Sequence, residues 1–569
     1  MSDAQYDTLR KEIAAPVNYM SAMAREIGEL RQSMEQSATV LNLASLIEQH
    51  AIVNPGKLAV VYGDVRLTYK QLNDYANQIA NGLKSLGIGH GDNVALSCPN
   101  LPYFPLVYYG ILKTGATVVP LNILFKPREI AYHLKDSDAK AVFCFEGTEE
   151  LPLAQMVKQG FDEVETCEHL IVITTNPFAT TSIEGAIVLG ELMKDKPTTF
   201  RNYPTSPDDT AVILYTSGTT GQPKGAELTH LNMTINAMSS REVFMPFMDG
   251  GLDKTAVSLI TLPLFHSTGQ TAQMNATFYD GSKVVLLPRF DAAAVLETIR
   301  KEKVSFWVGV PTMFWALLRY AEENSLDVGE LAKTLRVTVS GGAPMPVELM
   351  KQFEEKFGVR VLEGYGLSET SPVACFTHPQ IKSKPGTVGL PLFAVEIACV
   401  DENDNPVPTG VAGEIVIRGH NVMKGYYKRE EATAEALRNG WFHTGDIGVF
   451  DEDGYLSIVD RKKDLIIRGG YNVYPRELEE VIMTHTSVSQ VAVLGIPDER
   501  LGEEVKAFIV LKSETTITEE EMIVWLKSQI ASNKYPRRVE FRDSLPISAT
   551  GKILKRVLRD EIKEQTAKA

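Results

Sequence analysis

The sequence predicts an α/β fold: a large N-terminal domain of layered β-α sheets that carries a small antiparallel β subdomain, then a small α+β C-terminal domain. Three observations predict it. Short apolar runs at 58–61, 94–96, 141–145 and 170–173 alternate with helical stretches such as 69–86, the pattern of β-α units stacked into sheets. From 395 to 459 the texture changes to short strands and turn clusters, including Pro408-Thr-Gly410 and Asp453-Gly454, which reads as antiparallel hairpins. Beyond Asp460 a self-contained pattern begins, with Pro475 near a helix start, apolar strands at 491–496 and 505–511, and a capping box at Thr518-x-x-Glu521. The predicted divisions are a helical extension at 1–40, a large domain at 41–459 with 395–459 as its β subdomain, and a C-terminal domain at 460–569.

Taken in order, the extension places apolar residues at Leu9, Ile13, Met20, Met23, Ile27, Leu30 and Met34, close to helical spacing. Its polar face mixes Arg10, Lys11, Arg25 and Arg31 with Asp7, Glu12, Glu26, Glu29 and Glu35, so the basic face of a helix that binds anionic membranes is missing. Packing on the body, or on a second subunit in a homo-oligomer, is the expectation. At 569 residues with 44% hydrophobic residues the chain has the make-up of a multi-domain globular enzyme. Its formal net charge of -15 argues against nucleic acid as a partner, and it means that a polyphosphate substrate needs locally placed cations or a metal. Cys98, Cys144, Cys167, Cys375 and Cys399 are far apart, without zinc or disulfide spacing, which fits a reducing, cytoplasmic setting. No apolar run approaches the roughly 18 residues of a membrane span, and the N-terminus lacks the pattern of a signal peptide.

The most informative stretch is Tyr215-Thr-Ser-Gly-Thr-Thr-Gly-Gln-Pro-Lys-Gly225, directly after the apolar run 211–214. It reads as a buried strand feeding a phosphate-holding turn at a strand end and near a helix start, with Thr229 as N-cap of a helix that carries Leu231, Ile235 and Met238 on one face. Gly218, Gly221 and Gly225 allow close backbone approach to an anion, Thr216, Ser217, Thr219 and Thr220 add hydroxyls, and Lys224 adds charge. The spacing Gly221-Gln-Pro-Lys224 breaks a Walker loop, which disfavours an ordinary P-loop NTPase.

This loop resembles the signature loop of the acyl-adenylate-forming (AMP-binding) superfamily, which includes acyl-CoA synthetases, luciferases and adenylation domains of peptide synthetases. Further motifs of that superfamily follow in order, from Leu41 to about Lys563, and overall similarity leans to medium- and long-chain fatty acyl-CoA ligases. By resemblance, Thr216, Ser217, Gly218, Thr219, Thr220, Gly221 and Lys224 hold ATP or AMP, as do Gly342, Ala343 and Pro344 at the adenine edge and Glu363, Gly364, Tyr365 and Gly366 in the next motif. Tyr365 offers a ring face to adenine. Glu369, a hard oxygen ligand, and Thr216 are the implied Mg2+ ligands. Asp446, in Trp441-Phe-His-Thr-Gly-Asp446, is implied to accept from the ribose hydroxyls, with Arg461 a second ribose or phosphate contact.

The same resemblance makes Asp460 an inter-domain hinge, with Lys463, Gly469, Gly470 and Tyr471 facing a CoA channel once a mobile C-terminal domain has turned. Lys552, in Pro546-Ile-Ser-Ala-Thr-Gly-Lys552, is the implied catalytic lysine, with Glu369 and Thr216 beside it. His266, Gly341 and Gly366 line the implied acyl pocket, although His266 reads equally as a buried structural histidine. No aspartate lies between Thr261 and Gly269 to hold a substrate ammonium, which argues against amino acids. The implied activity is ATP-dependent ligation of a fatty acid to CoA, with ATP and CoA as co-substrates. An aryl acid, a carrier-protein acceptor and luciferase-like oxygenation are the alternatives, and a non-catalytic scaffold is set against the presence of all the motif residues.

Overall fold

The computed structural model describes residues 39–568 apart from 177–178, 217–221, 245–255, 379–382, 513–514 and 549–550. The predicted extension therefore lies, but for its last two residues, outside the described chain.

Among the described residues an eight-stranded sheet runs in the order Gly425–Tyr426, Lys224–Thr229, Thr210–Thr216, Thr117–Pro120, Asn93–Ser97, Ala139–Phe145, His169–Ile173, Ile187–Val188. From Thr210–Thr216 onward the neighbours are parallel, the arrangement that helical crossovers produce. A nine-stranded sheet has a parallel centre that includes Phe306–Gly309, Val337–Ser340 and Val361–Gly366, with antiparallel strands at its edges. The predicted apolar runs at 58–61, 94–96, 141–145, 170–173 and 211–214 all fall in strands of these two sheets.

Helices Tyr69–Ser85 and Tyr103–Lys113 belong to the core between the sheets. The first is held at its start by Thr68, whose hydroxyl accepts from the Gln71 N–H while the Gln71 side chain accepts from the Thr68 N–H. The second is buried from Phe104 to Lys113, as its nearly unbroken apolar sequence requires. Gly110 allows their close crossing, since a Cβ there would sit 2.7 Å from Ile79 Cγ2.

Helix His230–Phe244 begins where predicted. Thr229 Oγ1 accepts from the Asn232 N–H at 3.1 Å, and the Thr229 N–H donates to Asn232 Oδ1 at 2.8 Å. Its buried face differs from the expectation, because Leu231, Ile235 and Met238 are only half-buried while Met233, Asn236, Ala237 and Ser240 are buried. The polar members of that face have tertiary work: Asn232 donates to the His420 and Val422 carbonyls, and Asn236 exchanges bonds with the Val373 backbone.

The antiparallel subdomain is a sheet of Val395–Val400, Gly413–Gly419, Phe442–Phe450 and Leu456–Arg461. Its last strand runs through Asp460 to Arg461. The C-terminal part has a core of its own, in which Leu478, Val493, Val505, Ala507, Met522 and Leu526 are fully buried. Pro475 opens helix Pro475–Met483, and Thr518 and Glu521 form the predicted box at the start of Glu519–Gln529. All five cysteines are buried and free. Among the described residues no helix is long and apolar enough to cross a membrane.

Candidate active site

Strands Thr210–Thr216 and Lys224–Thr229 are antiparallel, with Thr216 opposite Lys224. The turn thus leads into a second strand that pairs back as a β-hairpin, and the helix expected from its Thr229 cap begins at His230, at the far end of that strand. Gly225 and Ala226 continue the ladder against Tyr215 and Leu214, which satisfies their backbone without a helical turn. The ends of the turn are clamped: the Tyr215 hydroxyl donates to Asp136 Oδ2 at 2.9 Å, and the Tyr132 hydroxyl to the Pro223 carbonyl at 2.7 Å. Ser217, Gly218, Thr219, Thr220 and Gly221 lie outside the described residues.

Thr216 and Lys224 open onto a cavity of about 1400 Å³ whose wall also carries Gly341, Gly342, Gly364, Tyr365, Gly366, Glu369, Asp446, Arg461 and Lys552. Glu369 follows strand Val361–Gly366 on a short turn, Ser368–Thr370. Its Oε1 accepts from the Tyr426 hydroxyl at 3.0 Å, and among the described residues it takes part in no ion pair. A buried carboxylate that, among the described residues, has one hydroxyl donor and no cation fits a bound hard cation such as Mg2+. Gly366 has no room for a side chain, since a Cβ there would strike the Pro372 carbonyl.

Glu363 is buried behind the wall, where its Oε1 accepts from the Met345 N–H at 3.4 Å, and burial pushes its carboxyl up to about 7. It therefore braces the end of the adenine-edge stretch, of which Gly341 and Gly342 reach the cavity while Ala343 and Pro344 are not on its wall. The Tyr365 hydroxyl donates to Asp446 Oδ2 at 2.8 Å, and Arg461 Nε lies 3.2 Å from Asp446 Oδ1. Burial, with Asp446 beside it, raises the Tyr365 phenol, so it remains a donor. Asp446 and Arg461 face each other across neighbouring strands, which is why residues fifteen apart in the chain meet.

Lys552 comes from the C-terminal part. Its loop docks on the large domain through the Thr312 hydroxyl, which donates to the Gly551 carbonyl at 3.2 Å. Ala549 and Thr550, within the same motif, lie outside the described residues. Burial, then repulsion from Arg461, pushes the Lys552 ammonium down to about 8. His266 lines the same cavity and is pushed down to about 4, first by burial and then by Lys552. Its Nδ1 accepts from the Thr268 N–H at 3.3 Å, which leaves the ring proton of a neutral imidazole on Nε2.

Lys463, implied for the CoA channel, lines this cavity, and its ammonium is lowered by burial and then by Arg461. Gly469, Gly470 and Tyr471 do not reach the cavity wall; they lie on the hairpin Ile466–Arg468/Tyr471–Val473, where Tyr471 is 62% exposed. Asp460 sits at the junction, with Oδ1 accepting from the Arg461 N–H at 2.7 Å and Oδ2 from the Arg476 N–H at 3.0 Å. Burial raises its carboxyl.

Two wall residues had no signal in the sequence strong enough to single them out. Tyr426 bridges Glu369 to Lys224, whose Nζ lies 4.7 Å from the center of its ring. Glu414 accepts from the Gly445 N–H at 3.1 Å and pairs with Lys462 at 3.2 Å, steadying the turn that carries Asp446. The pair Gly425-Tyr426 reads as an ordinary turn until strand pairing places it beside Ala226 and Glu227.

A family model described as AMP-binding enzyme matches residues 47–427, and one described as AMP-binding enzyme C-terminal domain matches residues 477–552. The chain is 35% identical over 528 residues to a feruloyl-CoA synthase of Amycolatopsis sp, covering 91% of this chain and 98% of the relative. It is 35% identical over 541 residues to a long-chain-fatty-acid–CoA ligase of Bacillus subtilis (strain 168), covering 91% and 94%. The crystal structure of an anthranilate CoA ligase in complex with anthranoyl-AMP superposes with a TM-score of 0.84 at 29% identity, covering 93% of this chain and 98% of that one. With both family models matched in order on a fold and cavity of this kind, the chain belongs to the AMP-binding enzyme family.

Proposed function

We propose that this chain is an AMP-forming acid–thiol ligase that uses ATP to join a hydrophobic carboxylic acid, a fatty acid in the first reading, to CoA. The observation that carries the proposal is that one cavity gathers Thr216, Lys224, Glu369, the Asp446–Arg461 pair and, from the C-terminal part, Lys552. In the first half-reaction a carboxylate oxygen attacks the α-phosphorus of ATP and the bond to pyrophosphate breaks. In the second the CoA thiol, losing its proton, attacks the acyl carbonyl and AMP leaves.

Asp446 accepts from the ribose hydroxyls while Arg461 and Tyr365 hold its carboxylate in place. Lys224 and Lys552 bring positive charge to the oxygens on which negative charge builds. Mg2+ held by Glu369 and Thr216 would supply neutralisation of the phosphates. Neutral His266 lets a hydrophobic acid pass close to Lys552 without a second cation competing for its carboxylate.

For the acid itself, the wall offers Leu262, Phe306, Val308 and Val339, and no charged group between Thr261 and Asn275 other than a neutral His266. That surface suits an alkyl chain, and the Bacillus ligase relative supports the reading. A second reading, an oxygenated aryl acid, is favoured by two buried wall hydroxyls, Ser240 Oγ and Ser267 Oγ, which have no hydrogen-bond partner among the described residues. The feruloyl-CoA synthase relative agrees with it.

AMP release measured across linear acids from acetate to palmitate and a few aryl acids, each with and without CoA, separates the two. For a fatty acid, kcat/KM should climb about fourfold per methylene, the equivalent of about 0.8 kcal/mol, until the pocket is full. A flat response with one hydroxylated or methoxylated aryl acid far above the rest would establish the second reading. Light emission with oxygen, or indifference to CoA, would instead replace the acceptor.

A further inference from the structure

Segment 423–427 is stitched to both halves of the phosphate site. The Met423 N–H donates to the Glu369 carbonyl at 2.8 Å, and the Tyr427 N–H donates to the Gly225 carbonyl at 2.8 Å, one residue past Lys224. Between these anchors Tyr426 pairs with Ala226, so its side chain emerges on the cavity wall between a carboxylate and an ammonium that come from different sheets. Its hydroxyl donates to Glu369 Oε1 at 3.0 Å, and its ring face carries Lys224 Nζ at 4.7 Å. Glu369 and Lys224 form no ion pair with each other. The ring is interposed, which keeps opposite charges from neutralising each other before substrate arrives.

We propose that Tyr426 is a positioning residue that presents the Glu369 carboxylate to a divalent cation and the Lys224 ammonium to phosphate, from the two ends of one side chain. The proposal rests on the AMP-forming reading above. Donation to Oε1 fixes the carboxylate rotamer and leaves Oε2 open to the cation. The ring quadrupole holds the ammonium by attraction, which phosphate displaces more easily than it would a carboxylate.

The test uses the full chain with Tyr426→Phe, which keeps the ring, and Tyr426→Leu, which removes both functions. Loss of one hydrogen bond to a charged group should raise the Mg2+ concentration for half-maximal pyrophosphate exchange in Tyr426→Phe by about tenfold or more. Binding of Mn2+ in the presence of ATP, read from the electron paramagnetic resonance of the free ion, should weaken by the same factor. ATP binding in EDTA should match wild type for Tyr426→Phe and be weaker for Tyr426→Leu.

Identical Mg2+ and Mn2+ dependence of wild type and Tyr426→Phe would overturn the carboxylate half of the proposal. Equal metal-free ATP binding by wild type and Tyr426→Leu would overturn the lysine half. Should Tyr426→Leu fail to fold, Tyr426→Phe, whose ring packing is preserved, still decides the carboxylate half, and Tyr426→Met, of similar length but without a ring face, takes its place in the ATP-binding comparison that decides the lysine half. If wild type makes no adenylate from any acid, the AMP-forming reading fails, while the Mn2+ and ATP binding comparisons still decide the role of Tyr426.

Discussion

At the scale of single residues, burial and neighbouring like charge tune the groups on the cavity wall. Lys552 is the clearest case, with its ammonium pushed down to about 8 by burial first and Arg461 second. A lowered lysine pKa means that the charged form is complete below that value and is lost as pH rises through it. For the half-reaction that uses this charge, kcat/KM, which reports the free enzyme, should therefore fall above about pH 8. Lys552→Arg should remove that alkaline limb, since a guanidinium stays charged. Lys552→Ala should lower pyrophosphate exchange by about a hundredfold or more, as the loss of a transition-state charge contact does, and leave thioester formation from supplied adenylate intact. A pH profile shared by wild type and Lys552→Arg would show that the ammonium is not used.

At the scale of elements, the loop that delivers Lys552 depends on Gly551, whose φ of 77° lies in the left-handed region. A Cβ there would sit 2.8 Å from Val310 Cγ2 and 2.9 Å from Thr312 Oγ1, so the loop could not dock as it does. Gly551→Ala should accordingly mimic Lys552→Ala, with pyrophosphate exchange strongly reduced and the second half-reaction spared. Full pyrophosphate exchange in Gly551→Ala would show that docking through Thr312 is dispensable. The opposite junction is built for holding: Asp460 ties the last strand of the small sheet to the first turn of helix Pro475–Met483, and Arg476 returns a bond to the Ile458 carbonyl.

At the scale of the whole molecule, Lys552 is in the cavity while Gly469, Gly470 and Tyr471 are away from it. This arrangement suits the first half-reaction of the proposed cycle, and in that reading the second follows a turn of the C-terminal part. Because the five natural thiols are buried, with Cys399 raised to about 11 and Cys167 to about 12, a single introduced cysteine can report that turn. In Tyr471→Cys, modification by a thiol reagent should be fast with ATP alone. It should slow sharply once a stable acyl-adenylate analogue and CoA are both bound. Asp460→Pro, which locks φ at the junction, should abolish that protection and slow thioester formation relative to adenylation. Protection unaffected by Asp460→Pro would move the pivot elsewhere.

Local pattern alone carried the α/β class, the strands, the helical stretch from Tyr69, the helix start at Thr229, and the capping box at Thr518, because each depends on residues within a few positions of one another. The glycine- and hydroxyl-rich turn and the motifs downstream likewise pointed to nucleotide chemistry. Strand pairing decided what those patterns could not. The turn after Thr216 became a hairpin because Gly225 and Ala226 found a ladder partner, and the buried face of helix His230–Phe244 shifted to residues whose side-chain amides meet distant carbonyls. Tyr426 was invisible in the sequence because its partners are 57 residues away at Glu369 and about two hundred away at Lys224. Ser240 and Ser267 take on meaning only as hydroxyls stranded on an apolar wall. Sequence thus determined which short segments can form and which carry chemistry, through steric and hydrophobic preferences that act locally. Tertiary structure decided which charges meet and which are kept apart, because only the closing of long loops brings those groups within a few ångströms.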